Sequence, residues 1–142
     1  MIRNNKIMIG NWVFVGSGTD WEEKLQVDEI FEHSVGFKGR EFTTYLTSLE
    51  PIQITEEILL KNGFYKKVLF EKNDFFGEVA EYEKSFCNFF VAFRKTNDDI
   101  DRIWYVHIGN SNLFTCCSCD VQYIHQVQNL ANILGFSIEF EL

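Results

Sequence analysis

Proline is nearly missing from this chain of 142 residues: there is one, Pro51. A Pro-rich linker or recognition arm is therefore excluded. Positive charge is also scarce, with 13 Lys plus Arg against 21 Asp plus Glu and a formal net charge of −8. The basic residues stand singly or in pairs, as at Lys66-Lys67 and Arg94-Lys95. With no basic stripe to displace counterions, direct nucleic-acid binding is not expected. The acids are dispersed too, which reads as a solubilising surface rather than a mimic of nucleic acid. Long apolar runs are lacking. The longest, Phe89–Phe93, is far short of a bilayer span. Met1–Gly10 has neither the apolar core nor the cleavage pattern of a secretion signal. The expectation is no membrane partner, a cytoplasmic location in a bacterial host cell, and free thiols at the 4 cysteines.

Aromatic residues are abundant: 15 Phe, 5 Tyr and 3 Trp, in a chain that is 46% hydrophobic and 24% charged. That balance excludes a disordered chain, a coiled coil and a collagen-like repeat. The length allows a core that needs no disulfide or metal.

Period-2 alternation and turn residues predict strands at Ile9–Val15, Lys24–Glu32, Val35–Phe37 and Glu41–Leu46, with a hairpin turn at Lys38-Gly39-Arg40. Thr19-Asp20-Trp21-Glu22 has capping-box spacing, a rival start for a helix. Pro51 marks Leu49–Ile54 as an edge or terminal strand. Thr55 then caps a short helix, with Glu56 and Glu57 in its first turn and Gly63 as its stop. A strand meander follows: Lys66–Glu71, Glu78–Lys84, Ser85–Lys95, Arg102–Ile108 and Leu113–Cys119. Its turns are expected at Asn73-Asp74, Asn97-Asp98-Asp99 and Gly109–Asn112. Phe86–Phe93 is so apolar that a central strand covered on both faces is expected. A second helix is predicted over Val121–Leu134, capped by Asp120, stopped by Gly135, with Ile124, Val127, Ala131 and Leu134 inward. Phe136–Leu142 reads as a last strand.

Three segments carry a resemblance: Ile9–Val13 (IGNWV), Leu49–Phe64 (LEPIQITEEILLKNGF) and Tyr123–Leu130 (YIHQVQNL). Together they resemble an uncharacterised family of small proteins in Bacteroidota chromosomes, conjugative elements and phages. The resemblance spans the chain end to end as three islands, and the middle island is the most specific. It implies an α+β fold: an SH3-like small β-barrel over 1–54, then an antiparallel sheet with two helices over 55–142. It settles Lys24–Glu32 as strand. It implies no activity, because the family has no established catalytic residues to carry over. Its association with mobile elements implies a role between element and host.

Cys116-Cys117-Ser118-Cys119, with Cys87, His107 and His125, invites comparison with a metal site. A CCxC run lacks the second CxxC pair of a zinc ribbon, and a strand would turn Cys116 away from Cys117 and Cys119. No metal or other cofactor is expected. Cys119 before a helix N-terminus is a place where a thiol could be activated, but no base is identifiable. Gly16-Ser17-Gly18-Thr19 lacks the third glycine and the GK[ST] of phosphate loops, so it reads as a connection between strands.

Two surfaces remain. The second helix carries an uncharged polar stripe of Gln122, His125, Gln126, Asn129 and Asn132, where a solvated face would carry Lys and Glu. Such a stripe suits a contact with the chain's own sheet, a subunit or a ligand. On Arg102–Ile108, Trp104, Val106 and Ile108 alternate with Ile103, Tyr105 and His107. An open second face would let Tyr105 and His107, beside Arg102 or Arg94, stack on a nucleotide-like ligand; the favoured alternative is burial on both faces beneath the second helix.

The candidate binding residues are therefore Trp104, Tyr105, His107, His125, Gln126 and Asn129, and no residue is a catalytic candidate. The expected function is a non-enzymatic binding protein of a mobile element or phage, sequestering a nucleotide-like immune signal of the host or binding a host protein. The alternatives are a homo-oligomeric assembly subunit and a Cys/His-dependent enzyme.

Overall fold

The computed structural model describes residues 7–16, 19, 22–71, 77–95, 103–110 and 115–142, excepting the side chains of Thr115 and Cys116. The expected turns at Asn73-Asp74 and Asn97–Asp99 lie outside this set, as do Arg102 and half of each of the segments at Gly16–Thr19 and Thr19–Glu22. The class is α+β, mostly β, with two five-stranded antiparallel sheets and two helices. Contacts divide the chain into two compact units. One holds residues 1–53, 123–137 and 142; the other holds 54–122 and 138–141.

In the first unit the strands are β1 (Trp12–Val15), β2 (Glu23–Ile30), β3 (Ser34–Phe37), β4 (Thr43–Tyr45) and β5 (Leu49–Pro51), with a turn of 3-10 helix at Leu46–Ser48 before β5. Their order is β4-β3-β2-β1-β5, so Pro51 does sit on an edge strand. The segment expected at Lys24–Glu32 is strand rather than helix over Glu23–Ile30, because alternation buries Leu25 and Val27 beside Val13, Val15, Val35 and Phe37. Gly39, at φ +72°, supplies the turn between β3 and β4. β4 and β5 lie on opposite edges, and the described ladders do not close into a barrel.

The second helix, α2 (Ile124–Ile133), belongs to this first unit. Ile124, Val127 and Ala131 are fully buried. Part of the uncharged stripe turns inward: His125 is buried and Asn129 half-buried, whereas Asn132 is exposed, and Gln128 joins them in the contact. Buried Asn11 receives a hydrogen bond from Met8 N (2.9 Å) and donates through Nδ2 to Asn129 Oδ1 (3.0 Å). Gln128 accepts from Trp12 N (3.2 Å) and donates to the Gly10 carbonyl (3.1 Å), which Gln26 Nε2 also reaches at 3.0 Å. Amides suit this contact because they donate and accept at once and bring no charge to be desolvated.

The helix starts later than its sequence suggests. Asp120 lies on a strand, not at a cap, and Tyr123 is the N-cap residue, its N–H donating to Gln126 Oε1 at 3.0 Å. Gly135, at φ +87°, ends α2 as expected. Phe136–Leu142 forms no sheet ladder.

The second unit is a meander of β6 (Tyr65–Phe70), β7 (Val79–Phe86), β8 (Phe89–Lys95), β9 (Trp104–Asn110) and β10 (Thr115–Val121), in the order β10-β9-β8-β7-β6. The turn between β7 and β8 falls at Cys87-Asn88, with Cys87 at φ +50°, so Ser85 and Phe86 end β7 instead of opening β8. Helix α1 (Glu56–Lys61) starts as expected, Ile58 N donating to Thr55 Oγ1 at 3.2 Å. The inner face carries an aromatic cluster: Phe64 meets Phe93 edge-on at 5.3 Å, and Tyr82 meets Trp104 at 5.5 Å.

Polar side chains tie α1 into this unit. Asn62 donates to the carbonyls of Ile58 (2.8 Å) and Glu141 (3.0 Å) and accepts from Glu141 N (2.7 Å). Lys84 Nζ donates to the Asn62 carbonyl at 2.6 Å and lies over the Phe64 and Phe86 rings. Lys66 bridges Glu56 (3.2 Å) and Glu78 (3.0 Å). The Glu56 carboxyl is held below its ordinary value by the Tyr82 hydroxyl hydrogen bond, with Lys66 adding to it against some burial. Burial and Glu56 push the Tyr82 phenol up to about 12.

Two predictions follow from these bonds. Asn62→Ala should cost about 1–2 kcal/mol in urea unfolding, because it removes the bonds of a buried amide to the Ile58 carbonyl and to both main-chain groups of Glu141; a cost below ~0.5 kcal/mol would show those groups satisfied another way. A carboxyl depressed in the folded state contributes stability above its unfolded pKa and loses it as pH falls through the folded value. Wild type should therefore lose more stability than Glu56→Gln between neutral pH and about pH 3. Parallel pH curves for the two proteins would contradict this.

Candidate binding surface

The outer face of the second sheet is built by alternation on β7, β8 and β9. Register sets Glu81 beside Arg94, and Arg94 beside Tyr105; Ala92 pairs with Glu83 and His107. Arg94 Nε and Nη2 both donate to Glu81 Oε2, at 3.1 and 2.7 Å. Lys67 Nζ lies 3.6 Å from Glu83 Oε1. Tyr105 is 43% exposed. His107 is half-buried, its ring 5.4 Å from that of Phe90 at an interplanar angle of 30°, and its Nδ1 is 3.0 Å from Ser118 Oγ.

These side chains enclose a shallow cleft of about 410 Å³, with Ala92 among its lining residues. Two small residues shape it. Ala92 reaches less far than Phe90 and Arg94 on either side. At Gly109 a Cβ would stand 2.2 Å from a Phe90 ring carbon, so the missing side chain is what lets Phe90 lie across β9. A second concavity, about 470 Å³, lies in the first unit among Asp28, Glu29, Gly36, Arg40, Glu41 and Phe42. Carboxylates dominate it, and its Arg40 is engaged by Glu23 at 2.7 Å. The first cleft better combines flat apolar surface with convergent polar groups.

Of the residues singled out in the sequence, His125, Gln126 and Asn129 lie on α2 and Trp104 lies in a core. Trp104 is inward, 3% exposed, its Nε1 donating to the Ile54 carbonyl at 3.0 Å. His125 is buried and stacked on Tyr123 at 5.8 Å. Gln126 holds the start of α2, and Asn129 holds Asn11. Tyr105 and His107 come together on the outer face, with Arg94 as neighbour. β9 is thus buried on one face only, while on β8 the outward Ala92 is buried and exposed Arg94 follows, so cover on both faces ends at Phe93. Glu81, Glu83, Phe90 and Ala92 were not singled out; alternation could have aligned them, but only once the registers were known.

Cys117 and Cys119 pair with Ile108 and Val106 and share their inward face, opposite His107. Burial and neighbouring Cys117 push the Cys119 thiol up to about 11, away from the range of an activated nucleophile. Cys119 lies on β10, not before a helix N-cap. Among the described residues, no three His, Cys, Asp or Glu side chains converge as metal ligands, and no helix is long and apolar enough to cross a membrane. No protein-family model matches the chain, and no curated protein or solved structure matches it either.

Gly109→Ala should displace the Phe90 ring and cost about 1–3 kcal/mol by overpacking. Phe90→Ala in the Gly109→Ala background should recover part of that loss. Additive losses in the double variant would show that the two residues do not meet.

Proposed function

We propose that the chain is a non-enzymatic binding protein that takes the flat ring of a small, nucleotide-like molecule on the outer face of its second sheet. The observation that carries this reading is the exposure of Tyr105 beside His107, Phe90 and Arg94 across adjoining strands. Aromatic side chains offer a stacking partner to a planar ring, and the glutamates offer hydrogen-bond acceptors at its rim. In this reading the first unit is an SH3-like scaffold: its order β4-β3-β2-β1-β5, with 3-10 helix before β5, supports that topology. The setting we propose is the bacterial cytoplasm, with the protein acting for a mobile element or phage against a host signal; it rests on the resemblance of the three sequence islands.

A protein partner, a host protein or a second copy, is the second reading. Edge strand β6 favours it, because Tyr65 and Phe70 are 72% and 68% exposed and Val68 is also exposed beside them.

Native mass spectrometry of protein purified from bacterial cells should find one small molecule per chain, released on denaturation. Tyr105→Ala should weaken its binding about tenfold while leaving the melting temperature unchanged, the loss of one stacking contact. A chain that carries no small molecule, or carries one indifferent to Tyr105→Ala, would refute the reading; a dimer mass would favour the second.

A further inference from the structure

We infer that the ligand of this cleft is a planar, amine-bearing heterocycle without a phosphate, a nucleobase or nucleoside rather than a nucleotide. The inference deepens the reading of the outer face as a binding surface and rests on it. Its basis is the charge arrangement around the aromatic floor.

Among the described residues, the cleft's lining carries one Lys or Arg, Arg94, and two carboxylates, Glu81 and Glu83. Arg94 is committed. Its Nε and Nη2 converge on one oxygen of Glu81, whose side chain is only 16% exposed. Its positive charge is offset by that carboxylate, which would lose its counter-charge in a poorly solvated place if the guanidinium moved away to a phosphate. Lys67, at the Glu83 rim, is likewise opposed by a carboxylate at 3.6 Å. Asp120 adds a further negative charge beside Tyr105 in the register of β9 and β10. A phosphate dianion entering here would therefore meet net repulsion, in a chain whose formal charge is already −8.

The same groups favour a different ligand. Carboxylates are acceptors only, so Glu81 and Glu83 match exocyclic amino or ring N–H donors. The Phe90 and His107 rings, 30° from parallel, and exposed Tyr105 provide surface against which a flat ring stacks. The cleft volume of about 410 Å³ falls in the range that holds small ligands.

The test is isothermal titration of the full chain with adenosine, guanosine and their 5′-monophosphates, at low and high salt. The expected result is that a nucleoside binds and its monophosphate binds at least tenfold more weakly. Added salt should narrow that gap by screening the repulsion. Glu83→Gln should narrow it as well, by weakening the nucleoside and easing the monophosphate. A monophosphate that binds as tightly as its nucleoside overturns the inference and leaves the cleft reading intact. Nucleoside binding that ignores Tyr105→Ala overturns both, since it occurs elsewhere. If no probe binds, the inference falls, and the molecule retained through purification decides the cleft reading separately.

Discussion

Asn11 is the constraint on which the first unit depends. It is fully buried, yet it stands where main-chain groups of the β1 approach would otherwise lack partners. Asn11 takes the Met8 N–H on its oxygen and gives its amide hydrogens to Asn129, while Gln128 closes the neighbouring Trp12 N–H and Gly10 carbonyl. A buried polar group costs most when it is half satisfied, so these amides form a set whose members depend on one another. That explains an uncharged helix face without any ligand. Lys or Glu there would bring a charge into the contact, and Leu would leave the strand's polar groups orphaned.

The second unit solves a similar problem at Asn62, whose single amide imitates a strand neighbour for Glu141 and holds the end of α1. The outer face of the second sheet mixes Tyr105, His107, Glu81 and Arg94, with Tyr105 exposed. Ion pairs on such a face contribute little to folding. Their weight falls instead on what the surface accepts or repels.

Much of this was legible from residue patterns. Alternation on β9 separated Trp104, Val106 and Ile108 from Tyr105 and His107, because side-chain direction in a strand has a strict period of two. Thr55, Gly63 and Gly135 announced the helix ends through capping chemistry. The misreadings have identifiable causes. Asp120 has the chemistry of a cap, but cross-strand pairing with Tyr105 claimed it for β10. The β7–β8 turn bears no glycine or Asn-Gly signal, because Cys87 adopts the left-handed conformation instead. That hid the register which sets Phe90 against Gly109 and His107. The stripe on α2 is in part a contact with the chain's own first unit, through Asn129, while Asn132 stays exposed and Gln128, outside the stripe, carries more of the bonds. Trp104 was misplaced among surface candidates because aromatic character alone does not say which face is wet.

The two units interleave along the chain, and this orders events during synthesis. Asn129 is 118 residues downstream of the Asn11 whose amide it receives. As a ribosome emits the nascent polypeptide, β1 to β5 emerge long before α2, and nearly the whole second unit is translated in the interval. The first sheet must wait half-dressed, its apolar side chains lacking their helix, through translation at roughly 5–20 residues per second, or several seconds. The second sheet, a meander of sequential hairpins, needs only neighbours just made. Vectorial synthesis thus leaves the first sheet waiting for α2, while the second sheet can assemble before Glu141 arrives to close its own unit on Asn62.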